Sequence, residues 1–297
     1  MGRKTRAVCF ILLAAFGFAG MNVFVRLAGD LPVMQKGFFR NLVALAVSAA
    51  IALRHGKGLR WKKGDLPMLL VRAVFGTLGI WCNFYAVDHM LLADANILNK
   101  LSPFFAILFS LLLLKERVKP VQAAAVCAAF GGALLVIKPG FSSAALPALI
   151  GAAGGCCAGL AYTAVRVLSG RGEESERIVF FFSAFSCLSS VPALLVDYHP
   201  MTPGQLLCLL GAGAFATLGQ FGVTLAYANA PAREISVFDY SQVLFSAALG
   251  FFIFGQCPDA LSVLGYLVIV GVSAGMFLHD RRGDAAEREK TRKGLEK

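Results

Sequence analysis

The sequence has few charged residues. Asp, Glu, Lys and Arg make up only 15% of its 297 residues, whereas 58% are hydrophobic; a soluble globular domain carries about 25% charged residues. Only residues 281–297 form a sizeable polar segment, which we interpret as a charged tail. This composition excludes an ordinary soluble domain and predicts an all-α integral membrane protein.

Several motifs of enzymes and pumps are also missing from the sequence. No Gly-rich phosphate loop ending in Lys-Ser or Lys-Thr occurs, so a nucleotide-driven pump is disfavoured. The eight cysteines form no Cys-x-x-Cys motif and the four histidines fall at the ends of apolar stretches, so we predict no metal or other cofactor. The acidic residues Asp88, Asp94, Asp197 and Asp239 are scattered, which makes a membrane-embedded transferase or hydrolase only a remote alternative.

What the chain does have is apolar stretches of membrane-spanning length. A hydrocarbon core of about 30 Å requires roughly 20 helical residues. Ten stretches meet this requirement: 7–27, 33–53, 66–87, 94–114, 120–138, 146–168, 178–197, 204–227, 235–255 and 260–279. The sequence therefore predicts ten transmembrane helices.

The second half of the sequence repeats the first. One constant shift places Thr77 on Thr217, Ala86 on Ala226 and Phe105 on Phe245. We divide the chain into repeat 1 at 1–140, repeat 2 at 141–280 and a tail at 281–297. Because each repeat holds five spans, an odd number, the second enters the bilayer inverted, and inverted repeats are typical of transporters. A channel is disfavoured, because a ring of equivalent residues needs symmetry about the membrane normal.

The positions of the basic residues predict the orientation. If both termini are cytoplasmic, most of the Lys and Arg residues face the cytoplasm, as the positive-inside rule requires. The net charge of +11 then needs no nucleic-acid partner. We predict a multi-pass protein of the plasma (inner) membrane, in contact with lipid, either as a monomer or as a homodimer.

Polar side chains recur on equivalent spans of the two repeats, which predicts a central polar cavity. The candidate substrate-binding residues are Asn22, Arg40, Asn83, Asn96, Asn99, Lys100, Tyr162, Gln220, Tyr227, Asp239 and Tyr240. Candidates for coupling or gating are Asp239, Arg26, Arg166 and Glu116. With the predicted orientation, the members in repeat 1 line a basic vestibule that opens to the outside.

Structural roles are the alternative for several of these charges. In that interpretation, Arg26 pairs with Asp30, Lys36 reaches the headgroups, Arg72 reaches back toward the cytoplasmic interface, and Lys100 pairs with Asp94 or Asp88. Glycines recurring on the sixth span, at Gly151, Gly155 and Gly159, predict close helix packing.

The residue types favour an anionic substrate. Arg40 and Lys100 offer charge, and neighbouring amides offer oriented hydrogen bonds, which suits a carboxylate or a phosphate. An amino acid or another zwitterion is the alternative, with Asp239 accepting the amine. Asp239 is also a candidate for proton coupling, and a structural role as a salt-bridge partner is its equal alternative. Exchange against a counter-substrate is the other form of coupling that the sequence admits.

Three short segments carry a resemblance to a known family. They are Leu92-Ala93-Asp94-Ala95-Asn96, Leu101-Ser102-Pro103-Phe104-Phe105, and Leu114-Lys115-Glu116-Arg117, the last before a span with Gly131-Gly132. With ten short-looped spans, this arrangement resembles the drug/metabolite transporter (DMT) superfamily, specifically its EamA (RhaT-like) ten-helix branch.

The resemblance implies a basket-like bundle with a midplane cavity, lined chiefly by the first, third and fourth helices of each half, that opens alternately to either side. It also implies no catalytic residue and admits a drug exporter as an alternative. The glutamate that commonly ends the fourth helix is Glu116 in repeat 1 but Gln256 in repeat 2, so a gate built on two such glutamates is in doubt.

Overall fold

The computed structural model describes residues 3–54, 61–102, 104–106, 108–109, 120–137, 145–229, 238–272, 274–275 and 278–279. Their regular secondary structure is helical, without strands. The helices are α1 Arg3–Leu27, α2 Val33–Arg54, α3 Leu66–His89, α4 Leu92–Asn99, α5 Pro120–Ile137, α6 Ala145–Gly170, α7 Ser175–Val196, α8 Pro203–Asn229, α9 Ser241–Phe254 and α10 Ala260–Val272. A single 3₁₀ turn, Lys63–Asp65, precedes α3.

Six of these helices are long and apolar enough to cross a membrane. They are α1, α2, α3, α6, α7 and the part of α8 at Pro203–Val223. The segments 127–136, 241–254 and 260–272 are apolar but shorter. Large apolar side chains point away from the protein on several helices; Leu188, Leu195 and Phe252 are 72%, 82% and 82% exposed. Such an apolar exterior is expected of a surface that faces lipid.

Two predicted spans are not continuous helices. The predicted span 94–114 is interrupted by a turn at Lys100 and Leu101, and helical residues resume at Ser102. The predicted span 235–255 is interrupted at Tyr240, before α9. The repeat shift places Tyr240 on Lys100, so both halves are interrupted at the same position. Residues 110–119, at the end of the fourth predicted span, lie outside the described residues.

The two halves pack together in reciprocal pairs of helices. Helix α1 packs on α8, and its counterpart α6 packs on α3. In the same way α2 packs on α8 and α3 on α7, while α1 packs on α9 and α4 on α6. Helices α2 and α7, which are each other's counterparts, are in direct contact, as are α4 and α9. The halves therefore pack together through equivalent helices.

The helices of the principal pairs run in opposite directions. On α8, Gly222 lies against Phe10 and Gly211 lies against Phe24 of α1. On α6, Gly154 lies against Cys82 and Gly151 against Ala86 of α3. Sequence numbers rise along one helix as they fall along its partner, so both pairs are antiparallel.

Glycine residues on α6 allow this helix to approach the interrupted helix α4 closely. A Cβ atom on Gly155 would lie 2.6 Å from the carbonyl oxygen of Leu98, and one on Gly159 would lie 2.6 Å from Cβ of Phe105. Cβ atoms do not tolerate such distances, so only glycine fits here. The glycine spacing on α6 thus brings the second half against the fourth helix of the first half, beside the cavity.

Candidate functional site

A cavity of about 640 Å³, including its open mouth, lies between the two halves. Its wall includes Asn22, Arg40, Asn83, Asn99, Lys100, Tyr162 and Gln220, all of which are among the sequence-predicted cavity residues. Phe18, Phe84 and Phe182 add an aromatic surface. Ligand sites generally combine a concave apolar wall with a few placed polar groups, and this cavity has both.

The interrupted helices meet beside this cavity. The hydroxyl of Tyr240 donates a hydrogen bond of 3.1 Å to the carbonyl oxygen of Lys100. The Nζ atom of Lys100 lies 2.5 Å from Oδ2 of Asp239, forming an ion pair between the halves. An interrupted helix exposes main-chain groups inside the membrane, which is tolerated only where protein or a cavity satisfies them. Here the counterpart residue in the other half does so.

The ion pair corrects the expectation for Lys100. A structural role for Lys100 predicted pairing with Asp94 or Asp88, on its own half of the chain. Asp94 instead accepts a hydrogen bond of 2.5 Å from the hydroxyl of Tyr266. Asp88 is paired with Lys36 at 2.6 Å. Helix α4 ends at Asn99, so Lys100 lies in the turn that follows. From there the Lys100 side chain faces Asp239 in the other half of the chain and not Asp94 or Asp88.

Side-chain amides connect four helices at the cavity. Asn83 donates to Asn22 at 3.2 Å, and Asn22 donates to Asn96 at 2.9 Å. Gln242 on α9 donates to the same oxygen of Asn96. Asn96 itself is fully buried and does not line the cavity, so it orients the amides that do. Gln242 also lines the cavity, although it was not among the predicted residues: it lies only two positions after Tyr240 but on a different face of the helix.

Arg40 is buried, with 1% of its surface exposed, and reaches the cavity from α2. Its guanidinium donates to Oδ1 of Asn41 at 2.5 Å. Asn41 is in turn held by the carbonyl oxygen of Gly37 and the hydroxyl of Ser186, at 2.9 and 2.8 Å. The Nε atom of Arg40 is buried and has no hydrogen-bond partner.

Arg72 is a cavity residue that the sequence analysis placed elsewhere. Its side chain does not reach back toward the start of α3, where the cytoplasmic interface was predicted, but runs forward over Gly76. Its guanidinium lies 4.0 Å above the ring of Phe182. A Cβ atom on Gly76 would lie 2.1 Å from a terminal nitrogen of Arg72, so the missing side chain creates the room. Arg72 and Gly76 share one helix face, and that spacing was the available signal.

Arg26 and Lys36 do not line the cavity, and both expectations for them were wrong. Arg26 does not pair with Asp30; it donates to the carbonyl oxygens of Val87 and Met90, at 3.2 and 2.8 Å, and its guanidinium lies 5.2 Å from the ring centre of Phe254. Lys36 is fully buried rather than at the headgroups. The C-terminal carbonyl groups of α3 and the carboxylate of Asp88 attract these cations into the protein.

The remaining candidates lie apart from the cavity wall or outside the description. Arg166 is exposed and does not line the cavity. Glu116 and the side chain of Tyr227 lie outside the described residues. Gln256, the counterpart of Glu116, accepts a hydrogen bond of 3.1 Å from the main-chain N–H of Leu92 at the start of α4. An amide oxygen thus fills the position that the family resemblance assigns to a glutamate.

The expected basic vestibule of repeat 1 is closed in this structure. Lys36, Arg40 and Asn96 are at most 1% exposed, whereas Tyr162 in repeat 2 is 40% exposed. The closure lies at one end of the bundle, the Gly29 end, formed by residues 28–32, 90–92, 197–202 and 255–256. There Gln35 exchanges hydrogen bonds with the main chain of His199, and Gln205 donates to Ala28.

Charged contacts link the loops at the opposite end, the Gly172 end, formed by residues 61–65 and 171–174. Arg171 lies 3.0 Å from Oδ1 of Asp65. The ammonium of Lys62 donates to the carbonyl oxygen of Arg171 at 2.9 Å, and Glu173 pairs with Arg177 at 3.1 Å. The repeat shift places Asp65 on Gln205, so equivalent loops make contacts of different chemistry at the two ends.

The family comparison matches both halves separately. The model of the EamA-like transporter family matches residues 5–138 and again residues 145–278. A crystal structure of a protein with 19% sequence identity superimposes with a TM-score of 0.68, over 93% of this chain and 98% of that chain. At this identity the likeness shows a shared fold and nothing further.

Curated relatives match over nearly their whole length. The pseudopaline exporter CntI of Pseudomonas aeruginosa strain UCBPP-PA14 is 36% identical over 266 residues, covering 89% of this chain and 93% of the exporter. A riboflavin transporter of Rhizobium johnstonii is 27% identical, covering 94% and 93%. Human solute carrier family 35 member G1 is 24% identical, covering 92% and 80%. All three are DMT-superfamily transporters.

Proposed function

Because the chain belongs to the EamA-like transporter family, we propose that it is a secondary transporter that moves a small organic anion across the plasma membrane by alternating access. The multi-pass membrane character and the transporter class follow from the family and the apolar helices. We further propose that the substrate is an anion, that the two repeats are inverted and that both termini are cytoplasmic.

Two buried guanidinium groups carry the assignment of an anion. Arg40 and Arg72 line the cavity with 1% and 5% of their surface exposed, and neither has a salt-bridge partner among the described residues. A buried cation without a partner is costly, and a carboxylate or phosphate is the group that guanidinium binds best. An anionic ligand is therefore the complement that this cavity lacks.

Antiparallel packing between the halves supports an inverted repeat. Consecutive helices joined by short loops alternate in direction, so α1 runs parallel to α3, and α6 runs parallel to α8. The antiparallel packing of α1 on α8 and of α3 on α6 therefore supports two oppositely oriented halves. Such halves give two related conformations, each open to one side. The distribution of Lys and Arg then favours cytoplasmic termini.

The relatives favour a transported metabolite without identifying it. One is named for export of pseudopaline and another for transport of riboflavin. The exporter is the more similar of these two, which favours export as the direction here.

A zwitterion is the second candidate. The Oδ1 atom of Asp239 is buried and has no hydrogen-bond partner among the described residues, so it could accept an amine. Its other oxygen is held by Lys100, which lowers the attraction for a second cation. This competition favours the anion as the first candidate.

Transport by purified protein in proteoliposomes tests the proposal. We expect saturable uptake of an organic acid or phosphate ester, stimulated by the same solute on the other side, from a panel that includes amino acids and nucleosides. Arg40→Ala and Arg72→Ala should each reduce uptake about tenfold or more, since each removes a buried cavity cation that has no salt-bridge partner among the described residues. Gly131→Ala is the matched control, because nothing lies within 4 Å of the added Cβ. Undiminished anion uptake in both cation variants, or uptake of amines alone, refutes the proposal.

A further inference from the structure

The number of uncompensated charges in the cavity limits the charge of its ligand. Three cationic side chains line the cavity: Arg40, Arg72 and Lys100. No acidic residue lines it among the described residues. The three cations differ in what neutralises them.

Lys100 is the compensated cation. Its Nζ atom lies 2.5 Å from Asp239, and the two side chains are 7% and 18% exposed. The pair is neutral overall, so it exerts almost no net electrostatic attraction on a charged ligand in the cavity. Lys100 can still donate a hydrogen bond, but it does not require a further anion.

Arg40 and Arg72 remain uncompensated. Among the described residues, the Arg40 guanidinium makes its polar contact with the neutral amide of Asn41, and Arg72 lies against the ring of Phe182. In both residues the buried Nε atom has no hydrogen-bond partner. The Nε–H and a terminal N–H of one guanidinium form the edge that binds carboxylate or phosphate in bidentate fashion.

The two guanidinium groups are held independently. Asn41 and Ser186 fix Arg40 from the α2–α7 interface. Gly76 and Phe182 fix Arg72 between α3 and α7. Since each has its own support, they offer two cationic binding positions in one cavity, and burying two like charges together is costly unless anions accompany them.

We propose that the cavity takes a ligand with two anionic groups, such as a dicarboxylate, or one doubly charged group, such as a phosphate or sulfate monoester. Arg40 binds one negative charge and Arg72 the other, while the amides of Asn22, Asn83 and Gln242 bind the uncharged polar part. This inference rests on the proposed function, since it specifies the charge of the transported anion.

Matched pairs of probes that differ by one negative charge test the proposal. Sulfate and methyl sulfate form one pair, and succinate and succinamate the other. Binding to the purified full-length chain is measured near neutral pH, by ligand-dependent thermal stability at constant ionic strength. We expect each dianion to bind about tenfold or more tightly than its monoanionic partner, as one additional charge-assisted pair should produce.

Variants then assign the two charges. Arg40→Gln and Arg72→Gln should each reduce the discrimination to about twofold or less, because one uncompensated cation remains. Arg40→Lys and Arg72→Lys retain the charge and should retain the preference for dianions, which keeps the test valid if a glutamine variant does not fold. Gly131→Ala should bind as the unmodified chain does.

Each outcome bears on the proposal in a different way. Three results would overturn the assignment of two negative charges to the ligand. They are equal binding of dianions and monoanions, discrimination that survives both glutamine variants, and no binding of either dianion up to tens of millimolar. Arginine-dependent uptake of a monocarboxylate in proteoliposomes would overturn it as well, yet leave the proposed anion transport intact. Uptake restricted to amines or neutral solutes would refute both.

Discussion

The two halves of the molecule pack in the same way but give the cavity different chemistry. The first half supplies all three cavity cations, Arg40, Arg72 and Lys100. At the equivalent positions the second half has Phe180, Ala212 and Tyr240. The second half contributes aromatic and amide groups instead, including Tyr162 and Gln242. Duplication thus accounts for the geometry, and divergence between the copies accounts for the charge.

The two ends of the bundle also differ in the chemistry of their contacts, although equivalent loops form them. The Gly172 end is held by charged groups, with Asp65 bound to Arg171. At the Gly29 end the counterpart of Asp65 is Gln205, which makes a neutral hydrogen bond to Ala28. Exposed ion pairs are weakened by salt and neutral hydrogen bonds much less so. The contacts at the two ends should therefore respond differently to added salt.

The largest effect is expected when Gly76 is made like its counterpart Ala216. The Cβ atom of Gly76→Ala would lie 2.1 Å from the Arg72 guanidinium and 2.9 Å from Phe182. Ala216 faces no such cation, because position 212 is alanine. We expect transport of the anion to fall about tenfold or more, since the added methyl group displaces the Arg72 guanidinium from the cavity and the loss of one hydrogen bond to a charged group costs about 1.5–3 kcal/mol. Initial uptake rates in proteoliposomes, normalised to folded protein, measure the effect.

Gly131→Ala provides the control for that substitution, because its added Cβ meets nothing within 4 Å. Equal uptake by Gly76→Ala and Gly131→Ala would show that Arg72 needs no room over Gly76. The proposed cationic site would then lose one of its two charges.

An intermediate effect is expected at the contact between the halves. Asp239→Asn leaves Lys100 without its carboxylate partner. Loss of one partner of a buried pair costs about 3–5 kcal/mol; because the Asp239 side chain is 18% exposed, we expect about 1–3 kcal/mol lower stability. A lower thermal midpoint in detergent measures the loss.

Asp197→Asn is the matched control, since Asp197 is 67% exposed and its partner His199 lies 3.7 Å away. We expect its midpoint to stay close to that of the unmodified chain. If both substitutions lower the midpoint equally, the pair between Lys100 and Asp239 does not hold the halves together.

The smallest effect is expected at the charged end. Asp65→Asn removes an ion pair whose arginine is 50% exposed, and such a pair contributes about 1 kcal/mol or less. Hydrogen exchange at residues 61–65 and 171–174 should accelerate about two- to fivefold. Added salt should produce the same acceleration at this end of the unmodified chain but little at the Gly29 end. Equal salt sensitivity at both ends would contradict the chemical difference between them.

Much of the arrangement could be predicted from the sequence, because hydrophobic length and the repeat are properties of the chain itself. Most helix bounds lie within a few residues of the predicted spans, and the polar residues of the first half do surround a cavity. The repeat shift also identifies Gln256 as the counterpart of Glu116, although it does not reveal that Gln256 contacts Leu92.

The features that could not be predicted depend on contacts between segments that are far apart in the sequence. The interruption at Lys100 is stabilised by the hydroxyl of Tyr240, which no local pattern in either segment reveals. The direction of Arg72 depends on the ring of Phe182, and the burial of Lys36 depends on Asp88. Hydropathy alone places such long cations near the interface, because it does not include their partners.

Distances across both ends, measured in one preparation, test the central claim most directly. Spin labels at Asp30 and Tyr198 report on the Gly29 end, and labels at Gly64 and Gly170 report on the Gly172 end. In liposomes with a transported anion, alternating access predicts that one distance lengthens while the other shortens. If both distances stay fixed during uptake, or both lengthen together as in a channel, the account of two inverted halves opening in turn around a cationic cavity is contradicted.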